Sequence, residues 1–114
     1  MTTLDTGRKA EAAAAEFLQR KGCKITAKNW RTRRCEIDVI AERKGVIYFC
    51  EVKYRSSLSQ GSGLEYITPK KLSQMQFACE YWVAQNNWQG EYRLCAIEVS
   101  GKDFRVTAAL TDLL

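Results

Sequence analysis

The sequence predicts a single α/β domain, residues 1–114, in which helices flank a mixed β-sheet. A chain of 114 residues has room for one domain. Two segments repeat apolar residues at helical spacing, and five others have the composition of strands. Because 46% of the residues are hydrophobic, the chain can bury a core without disulfides or metals. Packing helices against a sheet buries the apolar face of each element, and the predicted order is α-β-β-β-α-β-β.

The two helices are predicted from apolar spacing and end signals. Residues 7–20 repeat apolar side chains every three to four positions, and Gly22 is a natural stop after a helix. The second helix begins with Thr68 as the N-cap and Pro69 at the first helical position. Its apolar stripe ends near residues 86–90 and consists of Leu72, Met75, Cys79, Trp82 and Val83.

The strands are predicted from β-branched and aromatic residues. The segments 35–42 and 46–55 are rich in Ile, Val, Tyr and Phe, with Gly45 in the turn between them. A shorter mixed segment at 24–31 precedes them, and two final strands are predicted at 92–99 and 103–109. The Ser- and Gly-rich segment 58–63 is predicted to be a loop.

Composition excludes several kinds of chemistry. The chain has no histidine, which removes Ser-His-Asp and Cys-His nucleophiles and most catalytic zinc sites. Its five cysteines include no CxxC pair, so we expect reduced thiols in apolar positions rather than a zinc cluster. No apolar run approaches the roughly 18 residues of a membrane span, and residues 1–9 lack a signal core. We therefore expect a cytoplasmic protein without a membrane partner. The net charge of +5 is compatible with a polyanionic partner.

The hairpin from Cys35 to Arg55 carries the most informative acidic residues. An even turn, such as Lys44-Gly45, places Asp38 opposite Glu51, whereas an odd turn places it opposite Cys50. We expect the even turn because it gathers apolar residues on one face. The pairs of that face are Ile37–Val52, Val39–Cys50 and Ala41–Tyr48.

The even turn brings four polar residues to one end of the hairpin. Asp38 and Glu51 then have Cβ atoms about 4.5–5.5 Å apart, and two carboxylates that close repel unless a cation or proton lies between them. Mg²⁺ or Mn²⁺ suits such an oxygen site. In the alternative interpretation, Glu36 forms an ion pair with Lys53 and the other two acids are solvated. The convergence of all four residues favours the metal site. Glu11 borders the apolar stripe of the first helix. Its carboxylate either interacts favourably with the helix dipole near the N-terminus or helps to bind metal or water.

Five parts of the sequence together form a recognisable pattern: Gly7-Arg8-Lys9-Ala10-Glu11, Asn29-Trp30-Arg31, Glu36-Ile37-Asp38-Val39-Ile40, Phe49-Cys50-Glu51-Val52-Lys53-Tyr54-Arg55 and Lys71. This pattern resembles the YraN-type bacterial family, which is similar to the PD-(D/E)XK nucleases and the Holliday-junction resolvases. The chain departs from the usual pattern at Ala10 and Cys35, where glycine is usual, and at Cys95, where an acid is frequent.

The resemblance implies a restriction-endonuclease-like fold with core order αβββαβ. It also implies a metal-dependent endonuclease activity that hydrolyses phosphodiester bonds, with branched DNA as one possible substrate. It implies catalytic roles for Glu11, Asp38, Glu51 and Lys53. Asp38 and Glu51 hold Mg²⁺ or Mn²⁺ in this scheme, and Glu11 binds a second metal or orients water. Lys53 positions the attacking water or neutralises the transition state. A homodimer is also implied.

Basic residues flank these positions and predict a track for phosphates. They are Arg31, Arg33, Arg34, Arg55, Lys70 and Lys71. Any one of them, taken alone, is more often a solvated surface charge. Trp30, Tyr54 and Tyr66 could stack on bases, although core packing is the stronger interpretation for each. Two other functions stay open: a non-catalytic nucleic-acid-binding module on the same fold, and a protein-interaction scaffold. The choice between DNA and RNA, and between branched and linear substrates, is also open.

Overall fold

A computed structural model describes residues 2–56 and 67–111, which form two helices and five strands. The elements are α1 (Thr3–Arg20), β1 (Lys24–Arg31), β2 (Glu36–Arg43), β3 (Val46–Arg55), α2 (Pro69–Gln85), β4 (Glu91–Ser100) and β5 (Arg105–Leu110). The predicted order is confirmed, and the strand bounds agree to within two residues. The loop predicted at 58–63 lies outside the described residues.

The start of α1 differs from the sequence prediction by one turn. Thr2 caps the helix: its hydroxyl accepts a hydrogen bond from the Asp5 N–H at 3.1 Å, and the Asp5 carboxylate accepts one from the Thr2 N–H at 3.4 Å. This capping box starts the helix before its apolar stripe begins. The first buried side chain is Ala10, so apolar spacing alone placed the start too late.

The five strands form one sheet in the order β1-β2-β3-β4-β5. Every neighbouring pair is antiparallel except β3 and β4, which are parallel over ten residue pairs. A parallel pair needs a crossover connection, and α2 lies in the chain between these two strands. In the hairpin that carries the candidate acids, β2 pairs antiparallel with β3, and β3 pairs parallel with β4 on its other side.

Each face of the sheet is covered by one helix. The face against α1 packs Ala10, Ala14 and Leu18 on residues Val39, Ala41, Cys50, Cys95, Ile97 and Val99. The other face packs α2 residues Met75, Ala78, Cys79 and Trp82 on Ile40, Ile47, Phe49 and Leu94. All five cysteines are unpaired thiols, and three of them are buried in these clusters, as expected of small apolar side chains.

The second helix begins where the sequence predicts. The Thr68 hydroxyl accepts a hydrogen bond from the Lys71 N–H at 3.1 Å, and Pro69 occupies the first helical position. This cap fixes the first turn of α2, and with it Lys70 and Lys71, next to the strand that carries Glu51.

Candidate functional site

The β2–β3 turn has the even length that the sequence predicts. Lys44 and Gly45 adopt positive φ angles of 51° and 79°, the conformation of a two-residue hairpin turn with the right-handed twist of the strands. The ladder runs from Arg43–Val46 to Val39–Cys50. The register that pairs Asp38 with Cys50 is thereby excluded.

Asp38 lies at the point where this ladder ends. The predicted backbone pairs beyond Cys50 are not part of the ladder in the described residues; they are Asp38–Glu51, Ile37–Val52 and Glu36–Lys53. The Asp38 carboxylate instead accepts a hydrogen bond from the Val52 N–H, with 2.7 Å between nitrogen and Oδ2. At this position the Asp38 side chain, and not a backbone carbonyl of β2, accepts the hydrogen bond from β3.

The predicted apolar face is wrong at one residue, Ile37. Val39 and Ala41 pack against α1, but Ile37 packs with Ile40 in the cluster against α2. Strict alternation would have placed Ile37 with Val39. The ladder of β2 with β1 keeps one register through this segment, from Lys28–Val39 to Arg31–Glu36. The ladder of β2 with β3 ends at Val39–Cys50, so Ile37 lies beyond it.

Burial and neighbouring charge act together on Asp38. Desolvation, the larger effect, and the Glu51 carboxylate raise the pKa of its carboxyl to about 7, although the Val52 N–H opposes both. Glu11 and Glu36 contribute smaller increases in the same direction. The four acids are therefore electrostatic neighbours, and the repulsion between Asp38 and Glu51 that the sequence predicts is present.

Glu51 has a cation beside it. Lys71 Nζ lies 3.0 Å from Glu51 Oε2, and the two side chains keep only 33% and 20% of their surfaces exposed. The sequence had placed Lys71 with the phosphate-binding residues and gave no sign of this ion pair, which depends on where the first turn of α2 meets β3. Lys53 follows Glu51 by two residues on the same strand face and is exposed.

Glu11 projects from the half-buried edge of α1. Burial raises the pKa of its carboxyl, an effect that the Arg31 guanidinium opposes and that Glu36 adds to. Glu16, on the far side of the helix, is exposed and pairs with Arg20. Among residues 2–56 and 67–111, no three His, Cys, Asp or Glu side chains form a ready-made group of metal ligands.

The predicted basic residues have unequal surroundings. Arg33 and Arg34 are exposed in the turn between β1 and β2, which Thr32 ties together by accepting hydrogen bonds from the N–H groups of Arg34 and Cys35. Arg31 is exposed, with its Nε 3.0 Å from Asn29 Oδ1 and 3.5 Å from Glu36 Oε2. Lys70 is exposed on the first turn of α2.

Arg55 lies in a different environment from the other basic residues. Its Nε is 2.6 Å from Glu98 Oε2, and the Glu98 side chain is only 6% exposed. The two side chains form an ion pair, and the Thr107 hydroxyl donates a hydrogen bond to Glu98 Oε1 at 2.8 Å. Because Glu98 neutralises its charge, Arg55 is poorly suited to bind a phosphate.

The aromatic residues mostly pack, as the sequence favours. The Tyr54 hydroxyl donates to the Gly101 carbonyl at 2.9 Å, and its ring stacks on Phe104 at 4.9 Å. Trp30 packs against the α2 cluster and Tyr81. Tyr66 lies outside the described residues.

A groove of about 500 Å³ lies beside Glu51, between α2 and the β1–β2 turn. Its lining includes Arg34, Glu36, Glu51, Lys70, Lys71 and Phe77. Sequence reasoning missed Phe77, which is 44% exposed. The sequence did contain a signal for Phe77, because it is a large aromatic residue of α2 that lies outside the predicted apolar stripe.

None of the helices in the described part of the chain is both long and apolar enough to cross a membrane.

The αβββαβ order with an added fifth strand, and acids at the diverging end of β2 and β3, is consistent with a restriction-endonuclease-like fold. The sequence model of the uncharacterised protein family UPF0102 matches residues 10–99. The chain belongs to this family, the YraN family, as the sequence resemblance predicts.

Similar proteins occur in several bacteria. The UPF0102 protein of Cytophaga hutchinsonii is 36% identical over 106 residues, which cover 93% of this chain and 94% of the relative. A UPF0102 protein of Neisseria meningitidis is 40% identical over 96 residues, covering 83% of this chain and 84% of the relative. That of Flavobacterium psychrophilum is 34% identical over 104 residues, or 90% and 87% of the two chains.

Proposed function

We propose that this protein is a nuclease that hydrolyses phosphodiester bonds with the help of Mg²⁺ or Mn²⁺. The observation that carries the proposal is the Asp38 carboxyl, partly buried beside Glu51 where β2 and β3 separate. Burying two neighbouring acids costs stability unless a cation or proton offsets their repulsion. Such a pair beside a groove is the kind of perturbed site that catalysis uses.

The donor atoms fit a hard divalent cation. Asp38 and Glu51 supply carboxylate oxygens, and the Val52 carbonyl is the third donor we assign. Mg²⁺ commonly takes one or two carboxylates and keeps several waters, so it does not require a group of three acidic ligands. When bound, the metal supplies an activated water and neutralises charge on the phosphoryl oxygens.

The chain's own residues then divide the remaining work. Lys71 offsets the Glu51 charge through their ion pair, and it becomes available to a phosphate once a metal takes over that role. Lys53 lies two residues beyond Glu51 and positions the attacking water or neutralises charge in the transition state. Glu11 orients water on the α1 side of the site.

Exposed cations next to the site support a nucleic acid substrate. Arg33 and Arg34 occupy the β1–β2 turn, and Lys70 lies across the groove on α2. With a net charge of +5, these residues offer contacts to phosphates on both sides of the groove. DNA is the substrate we expect, and a homodimer is the assembly that resolvase-like relatives suggest.

A cleavage assay tests the proposal. Duplex, four-way-junction and single-stranded oligonucleotides are incubated with the protein and Mg²⁺ or Mn²⁺. We expect cleavage that EDTA stops and that Asp38→Asn and Glu51→Gln abolish. Glu16→Gln is the matched control, because it removes an exposed carboxylate on the opposite side of α1. Cleavage that persists in Asp38→Asn contradicts the proposal.

A second candidate function is nucleic acid binding without catalysis on the same fold. The Lys71–Glu51 ion pair favours it, because Lys71 already offsets the charge of Glu51 without a metal. Binding that weakens steeply with salt, without cleavage under any metal, identifies this function. A protein-interaction scaffold instead shows no binding to nucleic acid at low salt.

A further inference from the structure

Three aromatic rings form a row that begins in the groove beside Glu51. The centroids of Phe77 and Tyr81 are 6.2 Å apart, and those of Tyr81 and Trp30 are also 6.2 Å apart. The planes are tilted by 46° and 56°, within the range of favourable aromatic contacts. We call these three residues the aromatic row. It runs from α2 across to the edge strand β1.

Phe77 does not pack into the core formed by residues 2–56 and 67–111. The residues of α2 that pack on the sheet are Met75, Ala78, Cys79 and Trp82, and Phe77 lies off that stripe. Among the described residues, the exposed large apolar side chains are Leu4, Phe77 and Leu110. Phe77 is the aromatic one of the three and the one that lines the groove.

The charged side chains around Phe77 favour a negatively charged ligand. Arg34 and Lys70 line the same groove, and both are exposed. The acids of that lining each have a cation close by: Glu36 lies 3.5 Å from Arg31, and Glu51 lies 3.0 Å from Lys71. A ligand in the groove therefore meets aromatic surface together with positive charge.

We propose that the aromatic row is a stacking platform for the unpaired bases of single-stranded nucleic acid. A duplex presents phosphates but hides the faces of its bases, whereas a single strand presents both. Bases stack on Phe77 while Arg34 and Lys70 contact the adjacent phosphates. The platform rests on the proposed function for its relation to cleavage, since it leads a single strand toward Glu51. Binding itself requires no cleavage.

The test measures binding in EDTA, so that catalysis plays no part. Fluorescence anisotropy of labelled oligothymidylate and of a labelled duplex gives the two affinities over a range of salt. Loss of one stacked base corresponds to roughly 5- to 150-fold in affinity. We expect Phe77→Ala to weaken single-strand binding within that range and to leave duplex binding and the salt slope unchanged.

Matched variants make the result specific. Leu4→Ala and Leu110→Ala remove exposed apolar side chains elsewhere and should leave both affinities unchanged, whereas Phe77→Trp should preserve single-strand binding. Arg34→Ala combined with Lys70→Ala should lower the salt slope instead.

Several outcomes overturn the proposal. One is a single-strand affinity of Phe77→Ala that stays within twofold of the parent; another is an equal loss on duplex. Failure of the parent protein to bind oligothymidylate at low salt also overturns it. Dissociation of a dimer by Phe77→Ala without loss of binding shows instead that a second copy covers the row. Single-strand binding and cleavage are measured separately, so loss of cleavage alone leaves the platform in place, and a failed platform leaves the nuclease proposal standing.

Discussion

Replacing Asp38 by Asn should stabilise the protein at neutral pH. Burial and the Glu51 carboxylate raise the pKa of Asp38 from 3.8 to about 7, so the folded state holds a proton that the unfolded state releases. Each pKa unit corresponds to about 1.4 kcal/mol, and the whole difference corresponds to roughly 4 kcal/mol. This free energy opposes folding when the pH is 7 or above, and the penalty disappears as the pH falls below 3.8.

Asparagine keeps an oxygen for the Val52 N–H but carries no charge. Its amide still needs a partner in a partly buried site, which offsets part of the gain. We therefore expect Asp38→Asn to raise the free energy of unfolding at pH 8 by about 1–4 kcal/mol. The gain should shrink steadily toward pH 4, because Asp38 then approaches neutrality in both states.

Urea unfolding of the parent and Asp38→Asn, measured between pH 4 and pH 8, gives the difference directly. Glu16→Gln is the control, since its partner Arg20 lies on the exposed side of α1. The reasoning is refuted if Asp38→Asn is less stable than the parent at pH 8. It is also refuted if the difference between the two proteins does not change with pH.

Three further predictions concern the metal, the nucleic acid surface and the sheet. Mn²⁺ at a hundredfold excess over its Kd should stabilise the parent by about 2.7 kcal/mol in thermal melting, and it should stabilise Asp38→Asn or Glu51→Gln much less. Equal stabilisation of all three proteins contradicts a metal site on these residues. Charge reversal at Arg33 and Arg34 should reduce the slope of log K against log salt by about 0.9 for each duplex phosphate that the protein no longer neutralises; an unchanged slope places the surface elsewhere. Glu98→Gln should cost about 3 kcal/mol in denaturant unfolding because Arg55 loses its counter-charge, and Glu98→Leu with Arg55→Met should recover most of it; a cost below about 1 kcal/mol contradicts a structural ion pair.

Local signals predicted most of the fold. Cap residues, turn residues and apolar spacing act within a few positions along the chain. Thr68-Pro69, the Lys44-Gly45 turn and the hairpin pairs as far as Val39–Cys50 were therefore predicted correctly. The start of α1 was missed although its signal, Thr2 followed three residues later by Asp5, is local. That segment buries no side chain, so the apolar spacing that predicts the rest of the helix does not extend to it.

Contacts between distant segments could not be predicted. Ile37 packs in the cluster against α2 and not with Val39. It lies beyond the last pair of β2 with β3, where the Asp38 side chain accepts a hydrogen bond from the Val52 N–H. The ion pairs of Arg55 with Glu98 and of Lys71 with Glu51 join strand to strand and helix to strand, and no spacing rule connects such residues. The even length of the β2–β3 turn predicted that Asp38 and Glu51 lie close together. The burial that raises the pKa of Asp38 depends on the whole core and could not be predicted in this way.

The parallel pairing of β3 with β4 has a consequence for how the site forms. The hairpin is a local structure, but β3 gains its second neighbour only after α2 has crossed over and β4 has docked. Non-local pairing of this kind is slow, because the entropy of closing the intervening loop is lost before the new contacts form. A fragment ending before Glu91 retains Glu11, Asp38, Glu51 and Lys53 but lacks the strand that holds β3 from its other side. During synthesis, the acidic cluster therefore reaches its final geometry only after β4 has emerged and paired with β3.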